Sequence, residues 1–595
     1  MNSNKDLKKL IFLFLFSLIL SAQKNKTNDD LGTQEVTVIK SYRPSLKNVF
    51  KISETPKIAD SLVQNKQKVS YTFESVPVVS TFIPNKATPL KLKRPKVNRF
   101  HNSYILGGIG SQSEMLMNFS SMVKLDRYQS AGLVLRYNSL GGIPGTIMQS
   151  TEKRITLNLL HQYKQRNMRV DSDIRFDSQG HNFYGLKDLK WENIPTFRAS
   201  VVDPMQRLNY LAFKSKWQWY EGIISKVNFN THITTDSFNS TEQIIKINTL
   251  LRIPMFSNYL EVIPKLELIN SNFRRDYYVD EPLAFRNALN QLQIQFLNIS
   301  KRLNFRLGLN GFYSTNSQSK IYVYPKLEVT YKTLSGKIIP FIHYNGSYEL
   351  NSFTSLSIIN PYVAPSLDIQ PTEVNQDINL GFDAYPSSGL SFKFQAIYKK
   401  YNNHPIFFRL PYDNFNNDIP FKLGNSFDVL YDTIEQKGLT TGLSLSLSEF
   451  NRVSFVTSYF DYKRKNGNPV WNIPSLTFNI DGNFKLWQKL FIQVTGNYMS
   501  SRDIVDYIIT SSELDEKSTL LQDSLGSIFR TSFSVTWKIN SEWDLFWRNN
   551  MYFGDVTSRW AYYQNQKQLL LYKFCRLYRQ RSMPKLHNYH HFYLS

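Results

Sequence analysis

From about residue 102 onward, apolar and polar side chains alternate in segments of about nine to thirteen residues, each followed by a turn or a loop. A repeat of two is the signature of a β-strand, whose successive side chains point to opposite faces. In IFRTSFSVTWKIN, residues 528–540, Phe529, Phe533, Val535, Trp537 and Ile539 share one face. Arg530, Ser532, Ser534, Thr536, Lys538 and Asn540 share the other. The same split recurs in SLTFNIDGNFKL, where Leu476, Phe478, Ile480, Phe484 and Leu486 oppose Thr477, Asn479, Asp481, Asn483 and Lys485. In LNFRLGLNGFY, Leu303, Phe305, Leu307 and Leu309 oppose Asn304, Arg306 and Asn310. Sandwich strands also alternate, but they run to about five or six residues, whereas a tilted membrane strand needs about nine to eleven.

The connections between segments alternate as well. Tight turns are expected around Asp126-Arg127, Ser300-Lys301, Thr333-Leu334-Ser335, Pro386-Ser387-Ser388, Glu449-Phe450-Asn451 and Asn540-Ser541. Between them lie long polar or Gly/Pro-bearing loops near 139–153, 179–205, 271–288, 348–373, 401–438 and 501–526. Short turns on one side and long loops on the other describe an outer-membrane barrel with the turns in the periplasm. Strands are expected to begin near 102, 114, 129, 154, 167, 206, 221, 243, 258, 289, 303, 321, 336, 374, 389, 439, 452, 474, 489, 527, 542 and 561. The fold class is therefore all-β, an antiparallel transmembrane barrel of about 22 strands, within a range of about 20 to 24 because 401–438 also holds the strand-like PIFFRL and FDVLY.

Composition agrees with a barrel. There are 42 Phe, 35 Tyr and 9 Trp, yet the mean hydropathy is −0.36. An outer apolar band, aromatic girdles and a polar lumen give that combination. At the N-terminus, Lys5, Lys8 and Lys9 precede an apolar stretch, Leu10 to Leu20, and a small-residue cleavage site at Ser21-Ala22-Gln23. Residues 1–22 are read as a secretory signal peptide, with no cysteine after it to take a lipid. With Cys575 as its only cysteine, the chain forms no internal disulfide. The net charge of +24 points to anionic surroundings; no basic run with interleaved stacking aromatics suggests nucleic acid.

Residues 23–100 carry 15 Lys and Arg against 6 acidic residues, with prolines at 44, 56, 77, 84, 89 and 95. Such a segment buries little apolar surface and is read as an extended periplasmic lead-in. The barrel is assigned to 101–573. Beyond it, 574–595 (FCRLYRQRSMPKLHNYHHFYLS) is basic, loses alternation and is expected to be a frameshifted or divergent tail that impairs membrane insertion.

Three stretches resemble short TonB-dependent-receptor-like barrel proteins of Bacteroidetes envelopes: VTVIKSYRPSLKNVFKISETP (36–56), VPVVSTFIPNKATPLK (76–91) and NPYVAPSLDIQPTE (360–373). The third is also similar to the Asn-Pro-x-x-x-Pro loop that leads into a strand in TonB-dependent receptors generally. The resemblance implies an outer-membrane protein of the receptor class, energised by a periplasmic TonB-type coupling protein. It also implies a compact plug domain, and residues 23–100 do not look like one.

Two sets of residues carry candidate function. Glu35, Val36, Thr37, Val38 and Ile39 are β-prone and could add as a strand to a partner's sheet edge, in the manner of a TonB box, before Tyr42-Arg43-Pro44 breaks the run; a plain linker fits the same residues. Lys214, Lys216, Lys246, Arg252, Arg306, Lys326, Lys393, Lys485, Arg530 and Lys538 fall on the polar side of their strands, either as an anion-favouring lumen lining or as ordinary ion-pair partners. Trp217, Trp219, Trp487, Trp543 and Trp547 are read as interface anchors. His587, His590 and His591 lack a metal-site framework. There is no nucleophile elbow, zinc spacing or phosphate loop, so neither an enzyme nor a cofactor is expected. The expected partners are outer-membrane lipid, the barrel-assembly machinery, a TonB-type protein and a surface solute. The function classes that remain are a receptor or transporter, a non-transporting envelope scaffold and a passive pore.

Overall fold

In the computed structural model, the described residues are 69–72, 102–186, 203–256, 258–277, 281–315, 320–412, 419–512, 515–554, 558–563 and 568–578. The chain divides into two units, Met1–Arg94 and Pro95–Ser595. Of the first, only residues 69–72 are described, and they are irregular and exposed. The second unit is a barrel.

Its strands follow the sequence in order. The first eight are β1 (Ser103–Gly110), β2 (Met115–Lys124), β3 (Gln129–Leu140), β4 (Glu152–Lys164), β5 (Met168–Asn182), β6 (Met205–Trp219), β7 (Ile224–Asp236) and β8 (Thr241–Met255). Next come β9 (Asn258–Phe273), β10 (Leu283–Asn298), β11 (Leu303–Ser314), β12 (Lys320–Tyr331), β13 (Ile338–Glu349), β14 (Thr372–Ser387), β15 (Leu390–Arg409) and β16 (Phe427–Ser446). The last are β17 (Arg452–Arg464), β18 (Leu476–Lys485), β19 (Leu490–Met499), β20 (Arg502–Ser512), β21 (Asp515–Leu525), β22 (Ile528–Lys538), β23 (Trp543–Phe553) and β24 (Gln568–Tyr578). One short helix, α1 (Phe353–Ile359), lies between β13 and β14.

All but β20 and β21 belong to one 22-stranded antiparallel sheet, which β1 and β24 close by pairing with each other. Closure gives every strand of the barrel sheet a neighbour on both sides, which hydrocarbon demands because it offers no water to an unpaired N–H or C=O. Most strand starts fall within two or three residues of those the alternation predicts. The short turns are held by local side-chain acceptors: Asp126 Oδ1 accepts from the N–H of Tyr128 at 2.6 Å and of Gln129 at 2.8 Å. Asn540 Oδ1 does the same for Glu542 and Trp543.

Three expectations need correction. The region 401–438 is not one long loop: PIFFRL extends β15 and FDVLY begins β16, and the two pair directly, Phe407 opposite Val429. The loop near 501–526 contains the hairpin β20–β21, which lies outside the barrel sheet because β19 pairs with β22. The barrel also does not end at residue 573. β24 runs on to Tyr578, with Ser103 opposite Tyr578 on one side and Trp543 opposite Arg576 on the other. Backbone ladders on both flanks hold the strand where side-chain alternation fails, since hydrogen bonding belongs to the main chain. Residues 579–595 lie outside the described residues.

Side chains sort by register. Leu211, Phe213, Ile233, Leu307, Leu309, Leu439, Leu443 and Val494 are exposed on the outward face. A surface this apolar belongs against lipid, which places the protein in the outer membrane. Trp217 and Trp219 sit beside the turn after β6, Trp487 in the turn after β18, and Trp543 and Trp547 in the first half of β23. All five therefore sit towards the short-turn rim, where an indole bridges lipid and water.

Candidate functional site

The long-loop rim is closed by loops that carry their own apolar core. Phe183 and Tyr184 follow β5, Tyr277 follows β9, Leu356, Val363 and Leu367 lie between β13 and β14, Leu410 and Phe421 follow β15, and Trp560 and Tyr563 follow β23. All belong to one buried cluster, and Phe183, Ala364 and Leu367 have no exposed surface. Loops from opposite parts of the circumference share a core only by converging over the lumen. With no lipid to face above the membrane, their aromatic and aliphatic side chains are buried against one another.

Polar ties fix this cap to the wall. The side chain of Ser352 accepts from the N–H of Ser355 and closes a capping box at the start of α1. Two further N–H groups of that first turn, Phe353 at 2.6 Å and Thr354 at 2.9 Å, donate to the Glu242 carboxylate on β8. A buried anion at a helix start satisfies donors that have no partner within the helix. The hydroxyls of Thr234 and Thr354 meet at 2.7 Å. Asn425 Nδ2 donates to the carbonyl of Phe183 at 2.7 Å, and the Tyr563 hydroxyl donates to the carbonyl of Asn425. The rings of Tyr362 and Tyr563 stack with centroids 3.4 Å apart. Burial pushes the hydroxyls of Tyr184, Tyr362 and Tyr563 well above the ordinary tyrosine range. At the foot of the β20–β21 hairpin, buried Arg502 donates to the carbonyls of Ser500 at 3.2 Å and Ser558 at 3.3 Å. Burial, with Arg559 nearby, holds its guanidinium down to about 10.

A cleft of about 580 Å³ lies beside the cap, lined by Asn287, Tyr322, Tyr348, Asp368, Gln370, Glu373, Asn402 and Asn403 among others. Its aromatic wall is the stacked pair Tyr322 and Tyr348, centroids 4.5 Å apart. Its polar wall is pre-set: Tyr324 Oη donates to Glu373 at 2.5 Å, Asn402 donates to the same carboxylate at 3.0 Å, and Asn403 donates to Gln370 at 3.2 Å. Gly346 lets Tyr324 settle here, because a Cβ at that position would stand 2.5 Å from its ring. The cleft opens where the wall is thinnest in backbone pairing, since β12 and β13 pair only over Leu327–Thr330 and Phe341–Tyr344. An aromatic platform flanked by amides and carboxylates suits a ligand that offers both apolar faces and hydrogen-bonding groups.

The ten basic residues expected in the lumen all lie, by register, on the face opposite the exposed apolar side chains. They do not form one surface. Lys246 pairs with Glu267 at 2.7 Å and Arg252 with Glu261 at 2.7 Å. Arg306 and Lys326 share Glu328, at 2.6 and 3.1 Å. Lys214 and Lys216 stand opposite Asp173 and Asp171 in register. Lys393 lies 5.7 Å from the Phe341 ring centroid and Arg530 5.5 Å from that of Tyr552. Near the short-turn rim, Lys485 and Lys538 both approach the Phe491 ring, at 5.7 and 4.6 Å. Four of the ten are thus ion-paired around Glu261, Glu267 and Glu328, two face aspartates in register, and four lie against aromatic rings.

The peptide Glu35–Ile39 and the histidines 587, 590 and 591 lie outside the described residues. Among the described residues, no group of three or more His, Cys, Asp and Glu is arranged to hold a metal ion. The cleft residues escape a reading of the sequence, because Tyr322, Glu373 and Asn402 come together only through pairing of β12 to β15. One local signal does exist: TEVNQ at 372–376 breaks strict alternation, and the β14–β15 register shifts there, between Val374 and Gln376.

No protein-family model matches the chain, and no characterised protein matches it in sequence. Solved structures do. The siderophore receptor PirA from Acinetobacter baumannii is similar with a TM-score of 0.60 at 12% identity, covering 81% of each chain. The FrpB iron transporter from Neisseria meningitidis gives 0.60 at 8% identity, over 81% of this chain and 82% of that one. A mutant of the ferric enterobactin receptor from Pseudomonas aeruginosa gives 0.57 at 10% identity, over 80% of each chain. At such identities the likeness is one of fold, that of receptor-type outer-membrane barrels.

Proposed function

We propose that this barrel is an outer-membrane receptor that captures a surface solute in the cleft beside its loop cap and passes it inward by a TonB-type coupling step. The carrying observation is the cap itself: a mouth closed by a shared apolar core suits a gated receptor better than a freely open pore. The fold shared with the siderophore receptor PirA and the FrpB iron transporter supports a receptor or transporter role without identifying the solute. Glu35–Ile39 is the proposed coupling strand, and the polar inner face of the wall is the proposed path. A scaffold role keeps one observation in its favour, the ties from Glu242 and Thr234 that lock the cap to the wall.

Planar-bilayer recording of the purified protein tests the gating. The expected trace shows no steady conductance, and an open channel at all voltages overturns the gated reading. The coupling is tested by the affinity for the periplasmic domain of a TonB-type protein. Binding is expected to vanish when residues 33–40 are deleted, and unchanged binding removes the coupling step.

A further inference from the structure

On β15 the outward side chains Phe392, Phe394, Ala396 and Tyr398 are followed by Lys400. Lys400 stands eleven residues above Gly389 in the short-turn rim. At about 3.3 Å per residue and a strand tilt of about 40°, eleven residues climb about 28 Å, roughly the height of the apolar band. Lys400 therefore sits level with the headgroups of the outer leaflet.

Neighbouring strands add to this level in register. Lys400 pairs with Glu435 on β16, and Glu435 with Lys463 on β17. Lys437 lies one outward step below Glu435, 5.5 Å from the Tyr398 ring centroid. Lys465 lies one step above Lys463, its N–H bonded to the carbonyl of Thr433. Lys400, Thr433, Glu435, Lys463 and Lys465 line a cleft of about 430 Å³, together with Asn402 and Arg464, whose guanidinium is bound to Asp432. Four lysines here face two carboxylates: Lys437 meets Glu435 at 3.4 Å and Lys463 meets Asp461 at 3.6 Å. Lys400 and Lys465 form no ion pair among the described residues. Among the described residues, other cations reach this level of the outward face, Lys153 and Arg207 in one row across Gly180 and Arg286 on β10, but none gathers four on neighbouring strands.

We propose that the outward face of β15–β17, just above the apolar band, binds the phosphate of a phosphorylated glycolipid in the outer leaflet. The site faces the membrane, so a lipid headgroup is the occupant its position selects. The lysine excess supplies the charge, the Thr433 hydroxyl supplies a neutral hydrogen bond, and the aromatic edge at Tyr398 and Tyr459 meets the acyl chains. Glu435 opposes the phosphate and limits its affinity.

The full-length protein in detergent micelles is titrated with phosphorylated lipid A, dephosphorylated lipid A and inorganic phosphate, with bound lipid counted by native mass spectrometry. Phosphorylated lipid A is expected to bind about a hundredfold more weakly to a Lys400→Gln/Lys463→Gln/Lys465→Gln variant, from about 1 kcal/mol per lysine. Glu435→Gln is expected to tighten it. Equal binding by the triple variant, equal binding of the dephosphorylated lipid, or weaker binding by Glu435→Gln overturns the proposal. Displacement of the lipid by stoichiometric inorganic phosphate overturns its lipid character. Lys463 and Lys465 are exposed and Lys400 is half-buried outside the apolar core, and retained heat-modifiable mobility on gels verifies that each variant is folded.

Discussion

The Glu242 carboxylate on β8 accepts the backbone N–H of Phe353, 2.6 Å away and 111 residues later in the chain. It joins the wall of the barrel to the first turn of the helix that helps close its mouth. The same carboxylate accepts from Thr354 and from the Ser271 hydroxyl. Replacing Glu242 by Ala strands three buried donors, at about 1–3 kcal/mol each at most. The expected outcome is a cap that opens locally: hydrogen exchange at Phe353 and Thr354 speeds up while gel heat-modifiability of the barrel is unchanged. Unchanged exchange at both amides would show that the cap is held by its apolar core alone.

The cap tyrosines set an alkaline limit. Burial raises the hydroxyls of Tyr184, Tyr362 and Tyr563 above the unfolded value near 10. A group whose folded pKa is raised contributes stability that is complete below about pH 10 and is lost as pH climbs through the folded value. The near-ultraviolet circular dichroism of the cap should therefore hold to about pH 10 and collapse above it. Tyr362→Phe and Tyr563→Phe should remove late-titrating tyrosines from the tyrosinate absorbance curve. If every tyrosine ionises near pH 10 with the cap intact, the burial argument fails.

Closure between the first and last strands predicts a cross-link. Leu106 is opposite Cys575, the only cysteine. Directly opposed residues have Cα atoms about 4.5–5.5 Å apart, within disulfide reach. A Leu106→Cys protein should lose both free thiols on mild oxidation, as counted by intact-mass alkylation, and resist unfolding on gels until reduced. Two free thiols after oxidation would mean that β24 does not continue past residue 573.

Two glycines, on β11 and β13, separate packing from tolerance. A Cβ on Gly346 meets the Tyr324 ring at 2.5 Å, whereas one on Gly311 meets only the Leu292 carbonyl, at 3.6 Å. Gly346→Val should displace Tyr324 from Glu373 and lower the temperature at which the folded gel band disappears, by about 1–3 kcal/mol of overpacking. Gly311→Ala should leave it within about 0.5 kcal/mol. Equal behaviour of the two variants would remove Tyr324 from the architecture of the cleft.

Strand number, order and sidedness were legible in the sequence because a two-residue period is imposed on each strand by its own two solvents. IFRTSFSVTWKIN shows its lipid and lumen faces without knowledge of any neighbour. The alternation of short turns and long loops likewise follows from local residues such as Asp126 and Asn540. Alternation says little above the membrane, where both faces of a strand meet protein or water. There PIFFRL and FDVLY read as strand-like pieces within a long loop, and only their mutual pairing joins them to β15 and β16. The charge pairing of Arg306 and Lys326 around Glu328, the convergence of Tyr322, Tyr348 and Glu373, and the reach of Glu242 to Phe353 depend on register and on loops folding across the mouth. These are contacts between residues tens to hundreds of positions apart, set by how the sheet closes, and one-dimensional periodicity carries no term for them.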